Sequence, residues 1–521
     1  MDYDVIIVGS GMGGLACASL LTQLENKKIL VLERHFTPGG YTHMFSRNQG
    51  YEWDVGVHYV GEMCPGSFYR RIFDYITDGS IEWQKMPEVF ERFVYPDLTF
   101  DLYGGLEGLI RNLIEQFPQE KKAIEQYRDD LAKAARWYGR LMVSKVMPDR
   151  LGFFWHILLR FGSKMALMST KSYLDHRFSD RRLKAVIASQ WGDIGIPPSA
   201  SAFAAHALVV VHYCGGGYYP IGGAKVIANS LIPIIERTGG RLLTRHRVDS
   251  IIVDGNNAVG VEVLTRAGGQ DQVKRYYADT IISNAGAYTT FNRLMPSKVK
   301  LPCQSILDQF PVGSAHVCLY IGFKDNPSKL GFNGENLWIY KDFDHDEAYD
   351  NRCRIVDGEI SGCFLSFPSL KDPTAKGHTA ELISFADYDQ FSPWSEQKWK
   401  KRGREYDALK QRISEALIAF VDSRYPGFAK LIEYQELSTP LTTSDFTGHR
   451  HGCIYGLPAT PEKFSAKWLK PKTPINNLYL TGSDVAGHGI VGALMGGVMT
   501  TLAMSRKRWV FLKWLVSAKR R

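Results

Sequence analysis

The chain has 521 residues, 45% of them apolar and 22% charged, which is long enough for two or three domain-sized units and carries no signature of disorder. Its formal net charge is +9, but the acid-free stretch Ser505–Arg521 supplies seven of those charges, so the body is close to neutral and a nucleic-acid partner is disfavoured. Eight cysteines spread from Cys17 to Cys453 without a C-x-x-C pair fit a reducing compartment and argue against a zinc site or a disulfide framework.

The first predicted element is a buried parallel strand at Val5 to Val8, a run too short for a helix and rich in β-branched residues. It ends in Gly9-Ser10-Gly11-Met12-Gly13-Gly14, after which Leu15, Ala18, Leu21 and Leu24 recur at helical spacing. A second strand, Lys28 to Leu32, ends on Glu33, 19 residues after Gly14. In such a unit Gly9 allows the tight turn, Gly11 lets backbone approach a pyrophosphate, and Gly14 lets helix and strand pack closely. The helix N-terminus offers free N–H groups and partial positive charge to a diphosphate, and a carboxylate at the end of the second strand accepts hydrogen bonds from a ribose. A bound dinucleotide is therefore expected, with Ser10 and Arg34 flanking its contacts.

A Pro38-Gly39-Gly40 loop follows, placed by a doubly wound sheet over the strand ends where an extended cofactor continues. Tyr51 to Gly61, YEWDVGVHYVG, alternates like a strand with internal glycines, a pattern that marks close approach of a ligand or of another backbone. Helices are predicted at Leu106 to Phe117 and Glu120 to Ser144. Leu151 to Phe161 is conspicuously apolar and reads either as a core helix or as a membrane-docking segment. A glycine-rich stretch at Gly215 to Gly223 leads into a helix over Ala224 to Thr238, stopped by Gly239-Gly240. Strand-like segments with a turn at Asp254-Gly255-Asn256-Asn257 run on to Asn284-Ala285-Gly286. Tyr288 to Pro471 mixes strands (His316 to Phe323) with helices (Tyr406 to Ser423). A last strand–glycine–helix unit spans Asn477 to Met504 and includes Gly482, Ser483, Asp484, Gly487, His488 and Gly489.

These separated pieces, in this order, resemble the flavin-dependent amine oxidase and phytoene desaturase superfamily over nearly the whole chain. The resemblance implies an α/β fold of p-hydroxybenzoate hydroxylase/amine oxidase type. A split Rossmann-type FAD-binding domain (residues 1–65, 215–290 and 475–504) would carry a mixed α+β substrate domain (66–214 and 291–474) and a basic amphipathic tail (505–521). It also implies that Gly9, Gly11 and Gly14 meet the diphosphate and Glu33 the ribose. Gly39 and Gly40 would lie near the ribityl chain, and the Val248 backbone would meet the adenine. Gly482 and Asp484 would hold the ribityl–diphosphate, while Gly489, Ile490 and Val491 open a helix that points at the flavin ring. GVHYVG at Gly56 to Gly61 and LTGSD at Leu480 to Asp484 look most like retinol saturases and their bacterial relatives, with carotenoid isomerases and desaturases next. Residues 41 and 42 are Tyr and Thr where the resemblance leads one to expect cysteines.

The activity so implied is hydride transfer between flavin N5 and carbon, acting on a C=C bond of a polyene or isoprenoid lipid. A desaturase or isomerase of carotenoids or fatty acyl chains shares the same frame. A prenyl-lipid carrier of the GDP dissociation inhibitor type shares the first motif but not the Gly39-Gly40 and Gly482/Asp484 motifs. His58 and Tyr59 either donate the proton of such a reaction or shape the pocket, and His488 is either a donor or a helix-start hydrogen bonder. Asp445, His449 and His451 form one short cluster read as solvated surface, so no metal is expected, and Cys214 is read as core. No second G-x-G-x-x-G unit offers a nicotinamide site, so a separate electron donor or acceptor is expected. The tail places Trp509, Phe511, Leu512, Trp514, Leu515 and Val516 between basic clusters, suited either to an anionic membrane interface or to packing on the body. The first strand starts beside Met1 and no run reaches the ~18 apolar residues of a membrane span. The body is thus expected in the cytoplasm, peripheral on the inner face of the membrane.

Overall fold

The computed structural model describes residues 2–47, 50–147, 152–267 and 270–517. Its first strand, β1 (Tyr3–Val8), is buried along Val5 to Val8 and pairs in parallel with β2 (Ile29–Leu32), which is buried throughout. Strands covered on both faces have no polar side to alternate with, which is why these runs read as continuously apolar. Between them α1 (Met12–Glu25) is almost wholly buried and stops at Asn26, whose left-handed conformation (φ 54°) aims its N–H at the Leu21 and Thr22 carbonyls.

The other flank of β1 is taken by the last residues of a long strand, β3 (Gln270–Ser283), and beyond it lies β4 (Leu478–Leu480), both parallel to β1. Arg241–Leu243 completes the parallel layer beside β2. The first half of β3 instead pairs antiparallel with Asn257–Ala267, which pairs with Arg247–Asp254 across the predicted Asp254–Asn257 turn. One strand therefore joins a doubly wound layer to a three-stranded meander. The helix α2 (Gly489–Met504) packs on α1 through glycines: a Cβ on Gly497 would lie 2.6 Å from the Gly13 carbonyl oxygen, and one on Gly13 would lie 2.5 Å from Gly482 Cα.

The second sheet has seven strands in the order Ile432–Ser438, Ala315–Phe323, His378–Ala386, Gly362–Ser366, Asn336–Tyr340, Val89–Val94 and Thr99–Tyr103. Only the pair between Asn336–Tyr340 and Val89–Val94 is parallel. Helix Gly403–Asp422 packs in the same core through Leu409, Ile413, Leu417 and Val421, a four-residue spacing that keeps one apolar stripe on one side. Helix Lys121–Val146 packs in separate cores, its stripe of Ile124, Tyr127, Leu131, Ala134 and Trp137 recurring every three or four residues beside helix Phe203–His212.

Two readings change at the level of elements. Tyr51 to Gly61 is not one strand: Tyr51–Asp54 pairs with Met44–Arg47, while Val60–Gly61 pairs with Gly217–Pro220 in a separate sheet. The alternation breaks because Asp54 is pinned by the Ala224 amide (3.0 Å) and the Tyr219 hydroxyl, and Gly56 gives way to the Tyr41 ring. The C-terminal helix, Arg508–Ser517, divides its apolar residues. Phe511 and Leu515 bury against the body, with Tyr75 on the Phe511 and Trp514 rings, whereas Trp509 is 62% and Val510 58% exposed. Val516 to Arg521 lie outside the described side chains. In the helix Gly152–Arg160 and the turn after it, Phe154, Ile157 and Phe161 are exposed.

Candidate active site

The turn after β1 and the loop after β2 are tied through one carboxylate. Glu33 Oε2 accepts from the Ser10 amide (2.9 Å) and hydroxyl (2.7 Å), and Oε1 accepts from the His35 amide (2.7 Å). The Gly39 amide donates to the Ser10 hydroxyl oxygen at 3.0 Å, so the second glycine loop hangs on the first. Gly9, Gly39 and Gly40 all have positive φ, and a Cβ on Gly40 would lie 2.9 Å from Gly11 Cα. Gly11 starts α1 without a side-chain cap, leaving the first amides of the helix uncapped toward the cavity that Gly11, Met12 and Gly13 line.

That cavity, about 1240 Å³, runs from Gly9, Glu33, Arg34 and Val248 past Gly40 and His58 to an aromatic box of Trp191, Trp338, Tyr340, Phe364, Phe385 and Tyr455. Arg34 reaches the Asp445 carbonyl at 2.9 Å. Gly489 and Ile490 line the cavity at the uncapped start of α2. Ser10, Gly14, Gly482 and Val491 stand behind the lining and support it. Gly14 gives room for Ile7 and the Gly9 carbonyl, and Gly482 (φ +89°) lies against Gly13 and Asn284. Asn284 and Gly13 are site residues that sequence reasoning missed. The only signal for Asn284 was its place directly after a strand, next to Ala285-Gly286.

Two expected site residues lie behind the cavity wall. Asp484, expected at the ribityl–diphosphate, is buried behind the wall, where its carboxylate accepts the Ala287 amide (2.7 Å) and the Leu457 amide (2.8 Å); Ser483 lines the cavity in its place. His488 is no proton donor to the cavity. Its Nδ1 faces the Ile194 carbonyl (3.0 Å), its Nε2 lies 2.8 Å from the Leu457 carbonyl and 3.1 Å from Lys463 Nζ, and burial pushes the imidazole down to about 3. These contacts staple the 191–194 turn and the Leu457 carbonyl to the start of α2. The Asp445, His449 and His451 side chains diverge, to Arg402, the Cys453 carbonyl and the Tyr388 ring. Cys214 is half-buried and donates to the Val210 carbonyl.

His58 lines the cavity and Tyr59 does not. His58 Nδ1 lies 2.7 Å from Glu381 Oε2, the carboxyl group fully buried and the imidazole partly open to the cavity. Burial, with Lys371 adding to it, pushes the imidazole down to about 4, and burial pushes the carboxyl up to about 8, so the contact is a neutral hydrogen-bonded pair rather than an ion pair. Behind it Lys371, lowered to about 8 by burial, donates to the His58 carbonyl (2.9 Å), to Ser366 Oγ (2.7 Å) and to Asn336 Oδ1. Asn336 in turn donates to Glu91, which also holds the Trp338 indole N–H. Tyr59 stacks on Tyr213 with ring centroids 4.3 Å apart and donates its O–H to Asp193 Oδ2 at 2.6 Å. Asp193 lines the aromatic box, and sequence reasoning passed over it because a single Asp in a short loop carries no pattern.

The residues present fit a flavin nucleotide. Two glycine loops in contact leave room for backbone to meet phosphate, and two uncapped helix starts aim at the same space. The Tyr41 hydroxyl, the Trp191 indole N–H and His316 Nδ1 are buried polar atoms without a partner among the described residues, all from side chains that line the cavity, as expected where a polar ring system is to be held.

Fold and site together define a flavoprotein oxidoreductase of amine-oxidase-like architecture. Putrescine oxidase bound to putrescine superposes with a TM-score of 0.63 at 15% identity, covering 96% of this chain and 98% of that one. Residues 7–78 match the model of the NAD(P)-binding Rossmann-like domain. An all-trans-retinol 13,14-reductase of Danio rerio is 34% identical over 525 residues, covering 95% of this chain and 85% of that protein. The chloroplastic prolycopene isomerase of Arabidopsis thaliana is 25% identical over 512 residues, covering 95% and 82%. The chain belongs to the retinol saturase and carotenoid isomerase family.

Proposed function

We propose that this flavin oxidoreductase of polyene double bonds binds FAD and saturates one C=C of a retinol-like polyene. The observation that carries the reading is one continuous cavity that begins at the two glycine loops and ends in an apolar aromatic box. Residues 1–65, 215–290 and 475–504 would form the FAD domain, and 66–214 with 291–474 the substrate domain. Gly9, Gly11, Glu33, Arg34, Gly39, Gly40, Val248, Gly489 and Ile490 would contact the cofactor, with Ser10, Gly14, Gly482, Asp484 and Val491 holding the frame behind them. When bound and reduced, FAD supplies a hydride to one carbon of the double bond. The chain's own work is to seat the polyene between flat aromatic faces, exclude water and present an acid to the other carbon. The exposed Trp509, Val510, Phe154, Ile157 and Phe161 support peripheral contact with a membrane, from which a lipid-dissolved substrate would enter. Electrons would come from a separate donor.

The test is anaerobic. The FAD-loaded protein is reduced with dithionite, all-trans-retinol is added, and flavin reoxidation is followed together with product mass. Reoxidation with a gain of two hydrogens is expected; an isomer of unchanged mass with no reoxidation would replace saturation by isomerisation.

A further inference from the structure

Asp193 combines three features that no other described residue of the cavity shares. It is the carboxyl group of the aromatic box; the other acids along the cavity, such as Glu33, Asp249, Asp407 and Glu436, sit with the cofactor loops or with basic side chains. Its Oδ2 is held by the Tyr59 hydroxyl, while Oδ1 has no hydrogen-bond partner among the described residues. Its turn, Trp191–Ile194, is fixed to the start of α2 by the contact of the Ile194 carbonyl with His488, and on the other side Gly192 admits the Trp338 ring. The acid is thus rigidly placed between the cofactor helix and the apolar box.

We propose that Asp193 delivers the proton of the reduction, with Tyr59 as its positioning residue. The inference rests on the saturase reading. The Asp193 O–H bond breaks and a C–H bond forms at the carbon that did not receive the hydride. Both electrons of the other new C–H bond come with that hydride from the reduced flavin. The carboxylate left behind keeps the Tyr59 hydrogen bond until a proton returns from solvent. A carboxyl group in an apolar site stays protonated far above its ordinary range, which makes it an acid at neutral pH. Burial holds Asp193 up at about 7, with the Tyr59 hydrogen bond working against that rise. The ionisable groups facing it are Tyr59, Tyr213, Glu91, Tyr340 and Tyr455, all held in their neutral forms by burial, so among the described residues no cation faces it to draw the proton off. His58 is the weaker candidate, since its Nδ1 is engaged by Glu381 and burial keeps the ring neutral.

The test compares wild type with D193N, D193E, Y59F and H58Q, each loaded with FAD and mixed anaerobically with all-trans-retinol after reduction. D193N is expected to keep the flavin spectrum and retinol binding while flavin reoxidation slows by at least about 100-fold, with partial recovery in D193E. The wild-type rate should fall as pH rises through about 7, because the acid must carry its proton; Y59F should move that fall to higher pH, and H58Q should leave it in place. Infrared spectra give a readout independent of turnover, a protonated-carboxyl band below that pH that D193N lacks. A D193N rate close to wild type, an alkaline fall abolished by H58Q, or a wild type without that band overturns the assignment and leaves the saturase reading standing. A wild type that adds no hydrogen to retinol removes both.

Discussion

Glu33 ties two loops together at the place proposed for the ribose. Its carboxylate already gathers Ser10 and His35, so exchanging it for an amide unsettles the loop as well as the proposed ribose contact. Glu33→Gln is expected to weaken FAD binding roughly 10- to 100-fold, the size of a hydrogen bond to a charged group, as read by flavin fluorescence titration. Glu91 tests burial of charge. Its folded value lies at about 8, held up by burial, so the unfolded chain releases this proton first as pH rises. The stabilising contribution is complete at acidic pH, falls from the ordinary glutamate range upward, and is lost above about 8. Glu91→Gln removes an acceptor for Trp338 or Asn336 and starts less stable, but its Tm deficit against wild type should shrink as pH is raised toward 8.

At the scale of elements, the contact between α1 and α2 depends on absent side chains. Gly13, Gly482 and Gly497 bring the two helices and the β4 turn together so tightly that no Cβ fits. Gly13 has no positive φ, so Gly13→Ala meets a packing obstacle and no backbone one. It should cost about 1–3 kcal/mol in urea unfolding and lower flavin occupancy, because the wall that must move carries the cavity on its other side. The reading of this motif from sequence assigned close packing to Gly14 alone. Gly13 escaped because its partner, Gly482, is 469 residues away in the chain, and nothing in local spacing reveals such a neighbour.

For the whole molecule, the C-terminal helix separates stability from membrane contact. A chain ending at Ser505 uncovers the surface that Phe511 and Leu515 bury and should lose about 3 kcal/mol or more. Such a truncation confounds lipid binding with loosening of the body. Trp509→Ser combined with Val510→Ser leaves the buried face intact; it should keep the Tm of wild type while pelleting less with anionic liposomes. Unchanged pelleting would remove this helix from the membrane reading. Among the described residues no helix is long and apolar enough to cross a membrane.

The sequence by itself determined the strand–glycine–helix units at both ends, the loops that carry Glu33 and the Gly39-Gly40 pair, and through them the flavoprotein fold. These are legible because each depends on residues close in the chain, where a turn or a helix start demands a particular residue type. Only the tertiary structure decided that Asp484 and His488 stand behind the wall, that Tyr51 to Gly61 divides between two sheets, and that Asp193 faces the aromatic box. Those outcomes depend on which distant groups complete each hydrogen bond. Asp484 joins amides of residues 287 and 457, and His58 meets a carboxyl group 323 positions away, partners set by packing of whole layers and by nothing written locally.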